Sequence, residues 1–177
     1  MKRGFTLIEL LVVTSIIGIL SSTVLTSLNG AKIKARNSQR NSQIIEYGKA
    51  LTLYRDHNGK SPGSEGFWYC LGPSPCSVDV LNPPLHESDG DAPRQVLQPY
   101  LPTSTTIGQP FTVDGVTYTG AYYQPGYQLN PPGALIYWAL EGGGATCAKF
   151  PEEQSANVPV APSDMMGPKV TICSVIW

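Results

Sequence analysis

A long apolar run extends from Phe5 to Leu28, and its 24 residues include one charged side chain, Glu9. A helix of this length can cross a hydrocarbon core of about 30 Å. Its apolar residues are not confined to one face, which argues against a buried core helix. A secretory signal peptide would have a shorter apolar core followed by an AxA-like site, and neither feature is present. The run is therefore predicted to be a membrane-spanning helix.

The pattern then changes to apolar residues three or four positions apart within Ala31–Asn58, which contains no proline. The residues of this stripe are Ile44, Tyr47, Leu51 and Tyr54. Such spacing indicates a helix with one buried face, and Asn58-Gly59 is a typical helix stop. We expect one helix over residues 5–57, about 80 Å long, with its second half packed on a globular region. Because one globular domain cannot bury so long a helix, its first half must contact lipid or other subunits.

Residues 60–177 are predicted to form the globular region. Its first part, Ser61–Pro110, contains nine of the sixteen prolines and is interpreted as mostly irregular. One short helix is predicted at about Ala92–Tyr100, with Asp91 as its cap and Pro93 in its first turn. The residues expected to face inward are Val96, Leu97 and Leu101.

Four strands are predicted after this helix: Phe111–Val113, Val116–Tyr123, Ala134–Leu140 and Lys169–Ile176. The first two flank Asp114-Gly115, a strong hairpin signal. The third ends at Gly142-Gly143-Gly144, which lacks the Lys and Ser/Thr of a phosphate loop and is interpreted as a turn. Along the last strand, Val170, Ile172, Ser174 and Ile176 share one side. An antiparallel sheet of three or four strands packed on the helix gives an α+β fold.

Charge is distributed unevenly along the chain, although its formal net value is only -1. Residues 29–59 carry six Lys or Arg and two acidic residues, whereas residues 60–177 carry four Lys or Arg and ten acidic residues. An acidic globular region repels backbone phosphates, so no direct nucleic acid binding is expected. The basic stem of one subunit can lie beside the acidic head of another, so this charge distribution favours other copies of the same kind of protein as partners.

The four cysteines are Cys70, Cys76, Cys147 and Cys173. An even number in a chain with a membrane-entry segment predicts disulfides in an oxidising compartment. A zinc site is the weaker alternative, because neither pair has close CxxC spacing. Three pairings are possible. We prefer Cys70 with Cys76, which closes a short loop, and Cys147 with Cys173, which joins two late strands.

Glu9 is an anomaly, because a carboxylate within an apolar helix is costly and usually has a partner. No basic residue lies near it on the helix, and Lys32 is about 35 Å away. We therefore expect its partner to come from elsewhere or from a new N-terminus. Residues 4–13, Gly-Phe-Thr-Leu-Ile-Glu-Leu-Leu-Val-Val, follow a short Lys-Arg leader and resemble the prepilin signature of type IV pilins and type II secretion pseudopilins.

The resemblance implies how the N-terminus is processed and used. In that family a membrane-embedded peptidase cuts after the glycine, the new N-terminal phenylalanine is N-methylated, and the glutamate neutralises the N-terminal amine of a neighbouring subunit. The corresponding residues here are Gly4, Phe5 and Glu9. The implied partners are a prepilin peptidase and N-methyltransferase, copies of the chain and other pilins, and the membrane platform of an assembly machine.

The resemblance also implies a pilin-like organisation. Its parts are a leader at 1–4, a transmembrane and filament-core helix at 5–28, an amphipathic continuation at 29–59 and a head at 60–177. Residues 56–62 resemble the D-x-NG-x-YP that ends the long helix in pseudopilins, with Ser61 in place of the tyrosine. Thr26 and its neighbours depart from the pattern, because many pilins have a kinking proline near this point.

Two features of the sequence predict opposite orientations of the helix across the membrane. Basic residues at 32, 34, 36 and 40 outnumber Lys2 and Arg3, so the positive-inside rule would place the C-terminus in the cytoplasm. The cleavage motif and the cysteines both require the head outside. We expect a single-pass cytoplasmic membrane protein with an external head, which later joins an extracellular or periplasmic filament.

Other candidate sites have simpler interpretations. His57 and His86 are expected to be exposed, and without a GxSxG elbow they do not indicate Ser-His-Asp catalysis. Glu87, Asp89 and Asp91 could bind calcium through alternate carboxylates, although a turn followed by a helix cap is the simpler interpretation. The tyrosines at 118, 122, 123 and 127 could form a ligand patch, but their alternating directions place at least one in the core. No cofactor is expected.

These features predict a structural, non-enzymatic subunit of a type IV pilus or of a type II secretion-like pseudopilus. The alternative is a membrane-anchored extracytoplasmic binding domain that uses a prepilin-like anchor. That alternative predicts a pocket with converging polar groups in the head.

Overall fold

The computed structural model describes residues 6–72, 76, 85, 92–102, 107–127, 133–150 and 169–176, apart from the side chains of Thr26 and Tyr127. Contacts divide the chain into two units, Met1–Ala35 and Arg36–Trp177. The second is called the head unit below, and Leu7–Leu28 within the first is called the apolar segment.

Helix α1 extends over Leu7–Asn58, as the patterning predicts. It ends where Gly59 adopts a φ of +71°, a left-handed conformation that favours glycine. The Gly59 amide donates to the Arg55 carbonyl at 2.7 Å and so pairs one of the last free carbonyls of the helix. The second half of α1 belongs to the head unit, and its apolar stripe is buried there.

The head unit contains six described strands and two short helices: β1 Tyr69–Leu71, α2 Pro93–Val96, a 3-10 turn Gln98–Tyr100, β2 Phe111–Val113, β3 Val116–Tyr118, β4 Ala121–Tyr127, β5 Gly133–Glu141 and β6 Val170–Ile176. One sheet has the order β1-β4-β5-β6, with every neighbouring pair antiparallel. Strands β2 and β3 form a separate two-stranded sheet. The predicted α+β class and antiparallel sheet are confirmed.

The main core lies between α1 and one face of the four-stranded sheet. Its largest fully buried side chain is Trp138 of β5, which is opposite Cys173 of β6 in the strand register. The helix contributes its predicted stripe, Ile44, Tyr47, Leu51 and Tyr54. Cys173 and Val175 of β6 face this core. The other side of β6, predicted to carry Val170, Ile172, Ser174 and Ile176, therefore faces away from the helix.

A second cluster covers the opposite face of the sheet. Tyr122, Ala139 and Val170 pack there with Phe111 and Tyr118 of the small hairpin, whose rings stack at 5.1 Å. The hairpin turn is formed by Asp114 and Gly115, with φ of +49° and +84°. Positive φ at both positions is typical of a tight two-residue turn, so the predicted hairpin is confirmed.

Two predicted elements differ from the structure in their details. The strand expected at 116–123 is interrupted at Gly120, which has a φ of +67° and lies so close to Cys76 Sγ that a side chain would collide with it. The helix expected at 92–100 is split into α2 and a 3-10 turn, because Pro99 cannot donate to a continuing helix. The residue at its N-cap position is Ala92, and Asp91, the predicted cap, lies outside the described residues.

Strand β1 was missed altogether, because proline-rich flanks concealed its three apolar residues. The inward positions predicted near α2 are confirmed. Leu97 is fully buried, and Val96 and Leu101 pack against the core.

Candidate functional site

The described part of helix α1 begins with a closed set of hydrogen bonds between Thr6 and Glu9. Glu9 Oε2 accepts from the Thr6 amide at 2.8 Å and from Thr6 Oγ1 at 2.7 Å. The Glu9 amide in turn donates to Thr6 Oγ1 at 3.4 Å. This arrangement is a capping box, in which Ser or Thr before the helix and Glu three residues later satisfy each other's free amides.

The capping box gives Glu9 an uncharged partner within its own helix, Thr6, which the search for a basic partner did not consider. The Thr-x-x-Glu spacing, visible in the sequence, could have predicted it. The carboxylate also lies at the positive end of the helix dipole, where negative charge is favoured.

The apolar segment exposes its large side chains on every side. Leu7 is 81% exposed, Ile17 56% and Leu28 47%. Of the described helices, α1 alone is long and apolar enough to cross a membrane, judged by length and composition. Water solvates such a surface poorly, so lipid or other apolar helices must cover it.

Four hydroxyl groups in the apolar segment are satisfied within the helix. Thr14, Ser15, Ser22 and Thr23 each donate to the carbonyl three residues earlier, at 2.8–3.0 Å. A hydroxyl without a partner is costly in hydrocarbon. These bonds therefore make the four residues compatible with an apolar environment.

Helix α1 makes polar contacts at the start of the head unit. Asn37 pairs with the backbone of Glu141 through both amide atoms, at 2.8 and 3.0 Å. Asn41 donates to the Thr146 carbonyl and accepts from Trp138 Nε1 at 3.0 Å. These bonds satisfy backbone groups near the end of β5, and the search for apolar periodicity missed them because both residues are polar.

Arg40 is the least expected member of the core, since it is only 1% exposed. Its guanidinium lies 4.7 Å above the ring of Phe111 and donates through Nη2 to the Gln109 carbonyl. Burial lowers the pKa of Arg40 to about 10, an effect that Glu141 partly opposes. In the described part of the chain its Nη1 has no hydrogen-bond partner.

Both disulfides lie within the head unit. The structure joins Cys70 to Cys76 and Cys147 to Cys173, the two pairs preferred from the sequence. The first belongs to the second cluster behind the sheet, and Cys173 contributes to the main core. Each bridge therefore ties a loop to a buried strand.

Several predicted sites can be placed. His57 is exposed at the end of α1, and its Nδ1 lies 3.2 Å from the hydroxyl oxygen of Tyr100. Tyr118, Tyr122 and Tyr123 are all buried. The described part of the head includes a cavity of about 10 Å³ beside Leu51, no larger than one water requires. Among the described residues no group of three His, Cys, Asp or Glu could hold a metal. Gly4, Phe5, His86, Glu87, Asp89 and Asp91 lie outside the described residues.

Comparison with known proteins identifies the N-terminal region. Residues 1–25 match the family described as the prokaryotic N-terminal methylation motif. The chain is 41% identical over 64 residues to the type II secretion system core protein G of Pectobacterium carotovorum subsp. carotovorum, a match that covers 36% of this chain and 41% of that protein.

Similarity extends to relatives of the same name. The protein of Escherichia coli (strain K12) is 43% identical over 61 residues, covering 34% of this chain and 42% of that protein. The protein of Vibrio cholerae serotype O1 is 39% identical over 81 residues, covering 46% of this chain and 56% of that protein. The chain thus spans about half the length of these relatives or less, and no solved structure matches it significantly.

These matches confirm the resemblance that residues 4–13 indicate. The chain carries a prokaryotic N-terminal methylation motif and is similar, over about a third of its length, to the core protein G of type II secretion systems.

Proposed function

We propose that this chain is a prepilin, the structural subunit of a type II secretion-like pseudopilus or of a related type IV pilus filament. The observation that carries the proposal is the uncovered apolar segment, most of which lies within the methylation motif at residues 1–25. A helix with exposed apolar residues on all sides requires lipid before assembly and other subunits after it. The proposed role is structural and non-catalytic.

The proposed maturation is cleavage between Gly4 and Phe5, followed by methylation of the Phe5 amine. Cleavage would place a new amine one residue before Thr6, close in sequence to the Glu9 carboxylate. An ammonium group and a carboxylate are each costly alone in an apolar medium and are tolerated better as a pair. The capping box supports this role, because it satisfies the Glu9 carboxylate with weak, uncharged donors that an ammonium of a neighbouring subunit can replace.

The proposed location is the cytoplasmic membrane with the head outside. The two disulfides support it, because such bonds form and persist in oxidising compartments. Arg36 and Arg40, two of the four basic residues that favour the opposite orientation, have other roles in the head unit. Arg36 pairs with Glu141 at 2.7 Å, and Arg40 is buried. Protease added to spheroplasts, whose cytoplasmic membrane is accessible from outside, should digest the head, and complete protection would contradict this orientation.

The partners proposed are the prepilin peptidase and N-methyltransferase, copies of the chain, other pilins and the membrane assembly platform. An extracytoplasmic binding domain on a prepilin-like anchor remains the alternative, and no contact in the described part of the head favours it. The two functions differ in one observable outcome, since only a pilin subunit forms filaments.

The experiment combines mass spectrometry of the mature N-terminus with electron microscopy of filaments. We expect a chain that begins at N-methylated Phe5 and filaments that contain it. Gly4→Leu should leave the full precursor, because a side chain blocks the peptidase. Glu9→Ala should be processed normally yet form no filaments.

A matched variant, Glu9→Gln, separates charge from hydrogen bonding, because glutamine can still accept from Thr6 but carries no charge. Loss of filaments in Glu9→Gln as well as in Glu9→Ala supports charge pairing. Normal filaments with Glu9→Ala would overturn the assigned role, and an uncut N-terminus in the wild-type protein would overturn the proposed maturation.

A further inference from the structure

Two lysines lie just beyond the C-terminal end of the apolar segment. Lys32 and Lys34 follow Leu28 by four and six residues, which places them about 6 and 9 Å further along the helix axis. The headgroup layer of a bilayer is about 5–8 Å thick on each side of the hydrocarbon core. If the apolar segment fills the core, both ammonium groups can reach the headgroup phosphates, since lysine side chains extend along the helix towards the interface.

Both side chains are exposed, and within the described residues neither forms an ion pair. Two positions along a helix correspond to about 200° of rotation, so the two cations point in opposite directions. A protein partner contacts one face of a helix, whereas lipid headgroups surround it at one depth. The arrangement therefore fits a ring of lipid better than a docking surface.

We propose that Lys32 and Lys34 form a cationic collar that binds the phosphate groups of anionic lipids in the leaflet at the C-terminal end of the apolar segment. Each cation near an anionic surface contributes about a fivefold increase in affinity. The inference rests on the membrane anchoring proposed above and adds a specific lipid class to it.

The collar would also set the depth of Glu9. Glu9 lies 19 residues before Leu28, about 28 Å along the axis, which is close to the full thickness of the hydrocarbon core. With the lysines held at one surface, Glu9 lies at the opposite boundary, where water still reaches it. The carboxylate can then remain charged in the unassembled subunit until a neighbouring amine replaces water.

The test uses the full chain in vesicles of phosphatidylcholine mixed with phosphatidylglycerol. Spin-labelled forms of the two lipids report, by electron spin resonance, how strongly each associates with the protein. We expect phosphatidylglycerol to be preferred, the preference to fall about fivefold for each lysine removed in Lys32→Gln/Lys34→Gln, and high salt to weaken it. The matched control is Lys49→Gln/Lys149→Gln, which removes two exposed charges from the head unit and should keep the preference.

Three results would overturn the proposal. The first is an equal lipid preference in the wild-type protein and the collar variant. The second is an equal loss in the control variant, which would indicate net charge alone. The third is an unchanged lipid preference together with weaker self-association of the collar variant in pure phosphatidylcholine, which would assign the lysines to a second copy of the chain.

Alkaline carbonate extraction separates the collar from the anchoring on which it rests. A wild-type chain that is retained in phosphatidylcholine vesicles but shows no lipid preference contradicts the collar alone. A chain that carbonate removes from the vesicles contradicts the anchoring and the collar together.

Discussion

The apolar segment and the head unit place the same kinds of residue in opposite surroundings. Leu20 in the segment is 59% exposed, whereas Leu140 in the head is fully buried. Ser22 bonds to its own helix, whereas Asn37 bonds to a strand more than a hundred residues away. The head is therefore stabilised by its own contacts. The segment depends on whatever surrounds it, so mutations in the two regions should affect different measurements.

The largest effect on folding is expected from Trp138→Ala. Trp138 is fully buried, packs edge-on against Phe150 and bonds to Asn41. Its removal should lower the free energy of unfolding of the head by about 3–5 kcal/mol, because it leaves a large cavity and an unpaired amide oxygen. Urea titration of the full chain in detergent, followed by near-ultraviolet circular dichroism, measures the change.

Leu20→Ala is the matched control from the apolar segment. It removes a large apolar side chain that is 59% exposed, so the urea midpoint of the head should not change. A shift comparable to that of Trp138→Ala would break the comparison between the two regions, since it would show that the head depends on the segment for its stability.

The two disulfides should contribute unequally to the head. Cys147 and Cys173 are 26 residues apart, and Cys70 and Cys76 are six apart. A longer closed loop restricts the unfolded chain more. Replacing Cys147 and Cys173 by alanine should therefore cost about 3.5 kcal/mol, and replacing Cys70 and Cys76 about 2 kcal/mol. The same urea titration ranks the two variants. Non-reducing peptide mapping checks the pairing, and a link from Cys70 to Cys147 or Cys173 would contradict it.

The spacing of apolar residues was sufficient to predict an element where its buried residues recur at one regular interval. The stripe from Ile44 to Tyr54, the hairpin at Asp114-Gly115 and the strand that ends at Gly142 are each dictated by local spacing or by a turn that requires positive φ. The methylation motif was found for a related reason, since an isolated Glu9 in an apolar helix is unusual in any sequence.

The spacing of apolar residues was insufficient to predict an element or a buried residue where contacts between distant parts of the chain determine the structure. Strand β1 is only three residues long and is defined by its pairing with β4, which no local signal shows. The break at Gly120 depends on the position of Cys76, and the burial of Arg40 depends on Phe111, 71 residues further along the chain. A polar residue at a helical position is ordinarily exposed, so Asn37, Arg40 and Asn41 gave no sign of packing.

Asn37 and Arg36 are neighbours on α1, and both contact Glu141 in different ways. Asn37 bonds to its partly buried backbone, and Arg36 pairs with its carboxylate from a side chain that is 44% exposed. Asn37→Ala should cost about 1–3 kcal/mol, because two backbone groups lose their partners, whereas Arg36→Ala should cost less than about 1 kcal/mol. Urea titration of both variants, with exposed Ser38→Ala as the control, measures the difference. Equal losses would contradict this assignment.

A small effect, about 1 kcal/mol at neutral pH, is expected from Tyr123→Phe. The buried hydroxyl donates to the Pro62 carbonyl at 3.3 Å, a typical neutral hydrogen bond. Burial raises the pKa of Tyr123 above its ordinary value of 10.0. The unfolded chain therefore releases the proton first. The stability that this tyrosine contributes is complete below about pH 10 and is lost as pH rises towards the folded pKa.

The variant should consequently be less stable than the wild-type protein at pH 8, and the difference should shrink or reverse above about pH 10. Arg40 acts in the opposite direction. Burial lowers its pKa to about 10, so above this pH the folded head releases a proton that the unfolded chain still holds, and the stability of the head rises with pH. Arg40 is present in both proteins, so subtraction of the two urea curves isolates Tyr123. A difference that stays constant from pH 8 to pH 11 would show that the hydroxyl ionises equally in the folded and unfolded chain, contrary to its burial.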